Sequence, residues 1–458
     1  MEYIEKFVSF VNGILWDKNI LLFLLVGTGI WYTLQLRFIQ VRGFGEGFRR
    51  TFGGLFSKKE KADKGGMSQF QSLATAIAAQ VGTGNLAGAA TAIAVGGPGS
   101  IFWMWVSAFF GMATIFAEAT MAQKYKQIDK DGTVTGGPVY YISAAFKGKF
   151  GKILASLFAI FIILALGFMG NAVQSNSISE AFKTAFGLNP IIIGIILVIL
   201  SYAVFSGGME RIASVTETIV PIMALFYIVG SLIVIFINYR NIPIAFQEIF
   251  VGAFAPQSIA GGVIGATIQK AMSKGVARGL FSNEAGMGST PHAHAVAKVD
   301  HPIEQGFVAM MGVFIDTFVI LNLTALVIIT TRSVTPDASI VGTALTQAGF
   351  STVMGKFGDI FIAICMFFFA FSTIIGWYFF GEANVRYLFG AKSVKIYAIL
   401  VCVSVFLGTL GEVNIVWTMS DMFNGLMVIP NLIGLLALTF TVKNTYNDYV
   451  NKNNGRLH

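Results

Sequence analysis

Residues 78–89 read AAQVGTGNLAGA, an apolar helical pattern cut by Gly82, Gly84 and Gly88 with Asn85 among them. Each glycine costs a helix interior about 1 kcal/mol, and apolar sequence continues on both sides. Backbone freed from its hydrogen-bond ladder inside a bilayer has to be satisfied by protein, water or ligand. The stretch is therefore expected to be a broken membrane-spanning helix. Amide N–H groups at the start of one half suit an anion, and carbonyls at the end of the other half suit a cation. A neutral zwitterion together with a metal ion would satisfy both. The alternative is a glycine-lined packing face, since small residues also let membrane helices approach closely.

Other polar residues stand in apolar surroundings. In GNAVQSN, Asn171 and Gln174 lie three apart on one helical face, and amides facing lipid would be expensive, so both are expected to face a cavity. Ser372 and Thr373 sit deep in an apolar run beside Gly376 and Trp377. Their hydroxyls can coordinate a hard cation or bond back to their own helix. Among the acids Glu118, Asp316 and Asp421, Asp316 is the deepest and reads either as a proton carrier or as a hydrogen-bonded strut. Glu284, in SNEAG, is expected to make a structural or gating hydrogen bond near the cytoplasmic end of its span. An intramembrane metal enzyme built on Glu284, His292, His294 and His301 is disfavoured, because the spacing is not HExxH and Pro291 interrupts the helix before the histidines. Polar glycine segments also line pores, so a channel is a further alternative.

The elements that must position these residues follow from composition. Charged residues make up 12% of the 458 and apolar residues 55%, against roughly 25% charged in soluble proteins. With about 20 apolar residues per crossing, the chain holds ten to twelve spans and no separate soluble domain. Cys365 and Cys402 lie in apolar runs and carry no disulfide or metal signal. Residues 1–17 form an amphipathic, interfacial pattern without the features of a cleavable signal. Eleven spans are expected, at about 19–36, 68–95, 100–123, 152–186, 190–207, 212–238, 258–282, 305–331, 357–388, 394–410 and 413–442.

An N-terminus outside and a C-terminus in the cytoplasm put 25 of the 31 basic residues inside, counting Lys270, Lys274 and Arg278 in the cytoplasmic half of the seventh span. The net charge of +8 is then loop charge, with no basic, aromatic-interleaved module for nucleic acid. If the first span is peripheral, the other ten divide into two oppositely oriented fives. The chain then divides into an N-terminal segment with the first span and a basic loop (1–67), two repeats (68–238 and 239–442) and a cytoplasmic tail (443–458). The second and seventh spans take equivalent places. Both are interrupted, the seventh by Gly261, Gly262, Gly265, Gly275 and Gly279 around Thr267 and Gln269, with the break expected within about 265–275. Paired broken helices in inverted repeats mark a midplane transport site.

Four runs carry a family resemblance: VGTGNLAG at 81–88, GGPGSIFWMWVSAFFGMAT at 96–114, GLFSNEAGMGSTPHAHAVAK at 279–298 and STIIGWYFFGE at 372–382. They closely resemble the alanine or glycine:cation symporter family, sodium-coupled amino-acid carriers with a LeuT-type fold, over about residues 12–434. The resemblance implies an all-α polytopic protein of the cell membrane, with one peripheral helix plus a 5+5 inverted repeat. It implies symport of small neutral amino acids into the cell with sodium as coupling ion. No other cofactor, enzymatic activity, nucleic acid or obligate protein partner is expected; the partners are the amino acid, sodium and the lipid bilayer. The amides around Thr83 and Gly84, with the Thr83 hydroxyl, would hold the substrate carboxylate, and Asn85 would offer its side-chain oxygen to substrate or ion. Gln174 would contact the substrate beside Asn171, and Trp377 would wall the pocket. Sodium would sit among the Ser372 and Thr373 hydroxyls and the carbonyls of Ala78 and Val81. A proton-coupled carrier is the alternative.

Overall fold

The computed structural model describes residues 2–53, 65–129, 132–255, 267–334, 339–411 and 414–452. These residues are almost wholly helical, apart from a two-residue hairpin pairing Gln127–Ile128 with Val134–Thr135. That is what a bilayer demands, because only a helix satisfies its backbone without partners. Among the described residues, eight helices are long and apolar enough to cross: Glu5–Gln35, Gly99–Lys124, Lys149–Phe186, Gly208–Ile237, Pro302–Thr330, Lys356–Phe389, Ala391–Leu410 and Val416–Ala437. Eight, not eleven, meet that measure, for physical reasons. The second expected span is split into Gln69–Gln80 and the apolar helix Gly84–Gly96. The fifth, Pro190–Phe205, has 16 residues. The seventh, Ile268–Asn283, carries Lys270, Lys274 and Arg278.

Helix faces sort by surroundings. Pro190–Phe205 turns Ile191, Ile192, Ile195, Ile196 and Ile199 outward and buries Ile193, Gly194 and Leu197, as a helix at the lipid boundary should. The helix Lys356–Phe389 lies at the centre and packs on Gln69–Gln80, Asn171–Phe186 and Gly342–Met354. The amphipathic N-terminal helix Glu2–Asn12 exposes Tyr3, Phe7 and Phe10. It is tied to the helix Asn414–Ala437 by Asn12 Nδ2 to the Thr418 carbonyl (2.8 Å) and by Trp16 Nε1 to the Asp421 carbonyl (3.1 Å).

Two expectations about the seventh span are overturned. Its helix runs unbroken from Ile268 through Gly275 and Gly279 to Asn283, after an extended Thr267, so no break falls at 268–275, while Gly261, Gly262 and Gly265 lie outside the described residues. Gly275 and Gly279 are packing glycines. A Cβ on Gly275 would meet the Ser100 carbonyl oxygen at 2.3 Å, and one on Gly279 would meet Ser107 Oγ at 3.2 Å. The helix starts at the expected face, but at Ile268 rather than about residue 258, so its basic residues fall in the other half of the membrane. It begins beside Gly96, whose Cβ position is 3.2 Å from Ala271 Cα, and the chain then runs to Val296 and Lys298, which pair with Met67 across the membrane. Lys270, Lys274 and Arg278 thus lie in the half away from Met67, which lowers the basic bias toward that face without reversing it. Helices Ile242–Phe254 and Gly342–Met354 occupy stretches read as loop, and Thr439–Lys452 continues the helical chain past 443.

The Met67 face is stapled by charge. Glu46, almost fully buried, accepts from Arg49 (2.9 Å), Arg50 (2.6 Å) and the Tyr449 hydroxyl (3.1 Å), and Arg50 also reaches Glu304 at 3.1 Å. Burial alone would push the Glu46 carboxyl up, but the Arg49 and Arg50 guanidiniums outweigh it and hold it below its ordinary value. A depressed carboxyl contributes stability above its unfolded pKa and loses it as pH falls through the folded one. Glu46→Gln is therefore expected to cost about 2 kcal/mol at neutral pH, less than a fully buried pair because Arg50 keeps some water. The gap between variant and unmutated protein should close on acidification, read by thermal melting in detergent at a series of pH values.

Candidate substrate and ion site

The first break occupies three residues. Gln69–Gln80 is started by a capping box, Ser68 with Gln71, and ends at Val81, whose ψ of 87° leaves the helix. Gly82 and Thr83 follow, and Gly84–Gly88 resumes as a π turn leading into Ala89–Gly96. The freed amides have side-chain partners: Gly82 N–H donates to Asn85 Oδ1 (3.0 Å) and Thr83 N–H to Gln174 Oε1 (3.1 Å). The Thr83 hydroxyl is buried without a hydrogen-bond partner among the described residues. On the far side of the π turn, Thr346 donates to the Leu86 carbonyl at 3.0 Å.

Beside this break lies an oxygen cluster. Thr373 Oγ1 approaches the Ala78 carbonyl oxygen at 2.9 Å and that of Ala79 at 3.3 Å, and Ser372 Oγ reaches Ala78 O at 3.3 Å. Both hydroxyls also bond back to the Phe369 carbonyl, so the two readings of such residues coexist here. Close approach depends on glycine. A Cβ on Gly376 would lie 2.9 Å from Ala79 Cβ, and one on Gly82 would lie 2.3 Å from Thr373 Oγ1. The cluster sits at the carbonyl end of a helix, where the dipole favours a cation.

The second break follows Asn283. Glu284 closes the helix in the left-handed region (φ 59°), Gly286 and Gly288 also have positive φ, and Pro291 opens the short helix Pro291–Ala295. A non-glycine residue in that region costs on the order of 1–3 kcal/mol. Gly286 and Gly288 N–H both donate to Glu118 (3.0 Å each), which also receives Asn431 Nδ2 at 2.6 Å. Trp377 Nε1 and Ser289 Oγ donate to the two oxygens of Glu284. The breaks touch: a Cβ on Gly84 would lie 2.9 Å from Ser282 Cα, and Gln80 Nε2 donates to the Asn283 carbonyl at 2.7 Å. Asp316 bridges them, accepting from Asn85 Nδ2 (2.7 Å), Ser282 Oγ (2.9 Å) and Thr317 Oγ1 (2.8 Å).

The structure thus brings Thr83, Gly84, Gln174, Ala78, Ser372 and Thr373 around the first break, with Val81 at its edge. One residue differs from expectation. Asn85 does not hold its side-chain oxygen open, since Gly82 N–H takes it and the amide nitrogen is bound to Asp316. Asn171 donates to Gly167 of its own helix, and its Oδ1 is buried without a partner among the described residues. Trp377 packs edge-on to Phe281 (5.8 Å) and against Gly170, where a Cβ would meet the indole at 2.5 Å. Glu284 lies at the second break itself. Ser282, Phe281 and Glu118 were not singled out for these roles. The signal for the second break was Gly286-Met-Gly288 before a proline, a helix stop followed by an N-terminal proline. His292 is held by the Ser289 carbonyl and Asn384, and His294 by Gln305.

Two broken helices meeting end to side, with an oxygen cluster on an intact helix beside them, define a secondary carrier. The fold agrees. The structure of MhsT in complex with L-phenylalanine superposes with a TM-score of 0.60 over 84% of this chain and 98% of that one, at 14% identity, giving the LeuT-type fold. Residues 1–457 match the sodium:alanine symporter family, and the chain belongs to it. The sodium/alanine symporter AgcS of Methanococcus maripaludis is 43% identical, covering 95% of each chain. GlnT of Bacillus subtilis, described as a probable sodium/glutamine symporter, is 41% identical over 98% of this chain and 91% of that one. This is a multi-pass membrane transporter of a sodium-coupled amino-acid symporter family, not an enzyme.

Gly84 and Gly88, at the two ends of the π turn, make opposite demands. Gly88 has its nearest neighbour for a Cβ, the Thr83 carbonyl oxygen, at 3.8 Å, so Gly88→Ala is expected to be neutral or stabilising by up to about 1 kcal/mol. Gly84→Ala must push the Ser282 backbone away, costing roughly 1–3 kcal/mol and shifting the Ser282–Asp316–Asn85 bridge. Thermal melting and radiolabelled alanine binding on purified protein should show both properties impaired in Gly84→Ala and neither in Gly88→Ala.

Proposed function

We propose that the protein carries small neutral amino acids, alanine, glycine or a close relative, into the cell together with sodium. The observation that carries this is the cluster of neutral oxygens from Ala78, Ser372 and Thr373 one turn from an opened backbone with an unpartnered Thr83 hydroxyl. Neutral oxygens suit a hard monovalent cation that must also leave. Sodium would take the carbonyl of Ala78, with that of Val81, and the two hydroxyls. The substrate carboxylate would take the Thr83 hydroxyl and the amides of Thr83 and Gly84, which lie at a half-helix start and need no arginine. To reach the Thr83 amide it must displace Gln174 Oε1, and the freed Gln174 amide then turns to the substrate. Asn171 lies on the same helical face as Gln174.

Small size is supported by the surroundings: Trp377 donates to Glu284 at the second break and stands edge-on to Phe281, the residue before the Ser282 that lies against Gly84, with Gly170 behind the indole. Inward direction follows from a sodium gradient directed into the cell, with the N-terminus outside and the C-terminus cytoplasmic. The two breaks are taken as equivalent positions of a 5+5 inverted repeat. Asp316 is read as a strut, since Asn85, Ser282 and Thr317 all donate to it, the arrangement suited to an acceptor-only carboxylate.

Labelled alanine uptake into proteoliposomes, with and without an inward sodium gradient and with other amino acids as competitors, tests this reading. Thr373→Ala is expected to raise the sodium concentration for half-maximal uptake on the order of tenfold, equivalent to about 1.4 kcal/mol. Ser372→Ala should have a smaller effect, its contact with Ala78 being 3.3 Å against 2.9 Å. Unchanged sodium dependence in both variants would move the ion elsewhere. Sodium-free uptake driven by a proton gradient would replace sodium by a proton.

A further inference from the structure

The residue that closes the second broken helix is the wrong one for that task alone. Helices that end in the left-handed region usually do so on glycine, which has no Cβ to strain, and the neighbouring Gly286 and Gly288 fill their positive-φ positions in that way, although Arg37 and Arg332 also take positive φ beyond helix ends. Glu284 holds φ 59° with a fully buried carboxylate instead. A strained backbone and a buried acid are both unfavourable, so the side chain has work to do where it points. One oxygen accepts the Trp377 indole N–H and the other the Ser289 hydroxyl.

Trp377 is otherwise held only by packing. Its ring stands edge-on to Phe281 at 5.8 Å, and on another side Gly170 comes so close that a Cβ there would meet ring carbons at 2.5 and 2.8 Å. Packing fixes the plane of an indole less firmly than a hydrogen bond fixes its edge, because a ring can slide or flip against smooth neighbours. The bond to Glu284 selects one orientation. It joins the strained turn of one broken helix to the intact helix that bears Ser372 and Thr373, with Trp377 one turn beyond Thr373.

We propose that Glu284 is a specificity-determining positioning residue: by holding the Trp377 indole N–H it fixes the pocket wall and so limits the length of the substrate side chain. This rests on reading Trp377 as a wall of the amino-acid pocket. Glu284 itself touches neither substrate nor ion. When the bond is absent the indole turns away, and the pocket admits longer aliphatic side chains without any change at the sodium oxygens.

The choice of replacement separates this role from a capping role. If Glu284 only closes the helix, glycine is the best substitute, because it removes the strain, and glutamine, which keeps the strain, is no better. If Glu284 holds the indole, the order reverses, since glutamine retains an acceptor oxygen and glycine has none. Competition of leucine against labelled alanine, by scintillation proximity on purified monodisperse protein, gives the alanine-over-leucine affinity ratio. Sodium titration of the same samples is the control.

Glu284→Gly is expected to lower that ratio about tenfold or more, the scale of one or two methylene groups in an apolar pocket, with unchanged sodium half-saturation. Trp377→Phe, which keeps a ring and loses the N–H, should lower it similarly, and the double variant no further. Glu284→Gln should stay within about twofold of the unmutated protein. A ratio preserved in Glu284→Gly but lost in Trp377→Phe overturns the assignment, as do additive effects in the double variant. Should Glu284→Gly not yield folded protein, the Gln and Phe variants decide: equal loss of discrimination in both supports a role for the carboxylate charge rather than the acceptor and overturns the proposal. An unmutated protein without alanine preference overturns the carrier reading itself, and this assignment with it, before any substitution is compared.

Discussion

A helix opened inside a bilayer leaves N–H and C=O groups that lipid cannot satisfy, and the arrangement of this protein follows from how those groups are met. At the first break Asn85 and Gln174 take the amides of Gly82 and Thr83. At the second, Glu118 takes those of Gly286 and Gly288. Asn85 belongs to the broken helix itself, whereas Gln174 and Glu118 come from other helices, so each break also fixes the position of a neighbour. Gln80 and Asp316 then lock the breaks to one another. Remove that requirement and little reason remains for amides and acids at these depths.

The ion cluster depends on the same opening. Ala78 can present its carbonyl to Ser372 and Thr373 because the ladder stops at Val81. The central helix can come near because Gly376 and Gly82 have no side chains to hold it off. Three π turns, Gly84–Gly88, Ile163–Gly170 and Phe314–Leu321, lie against this region. Such turns displace side chains from the regular helical face and recur at functional sites. They carry Asn85, Gly170 and Asp316 respectively.

Much of this was legible in the sequence. Gly82-Thr-Gly84-Asn85 inside an apolar run pointed to an opened helix or to a packing face, and Ser372 and Thr373 to cation ligands or to hydroxyls bonded back to their own helix, as both also are. The second break was misread because glycine has two meanings in a membrane helix. Gly275 and Gly279 admit a neighbouring helix, whereas Gly286 and Gly288 adopt positive φ, and only tertiary contact or backbone angle tells these apart. The side of Lys270, Lys274 and Arg278 was misassigned for the same reason, since the start of the helix was placed too early. Asn85 was legible as a site residue but not in its role: nothing local says that an amide three residues past a break will turn back to cap it. The helix Gly342–Met354 was missed because its polar Thr and Gln residues are buried only by packing over the first break.

Glu118 has implications for how the chain is made. It lies in the helix Gly99–Lys124, early in synthesis, yet its partners are Gly286, Gly288 and Asn431, and Asn431 is itself engaged by Tyr141. A growing chain that has inserted only its first half carries this acid at membrane depth with none of those partners. The broken helix supplies two of them, and the third arrives only with Asn414–Ala437, the last long apolar helix described. Insertion of that helix is therefore the step that completes the polar interior, and the nascent protein must keep Glu118 hydrated, or in contact with other proteins, until translation is almost finished.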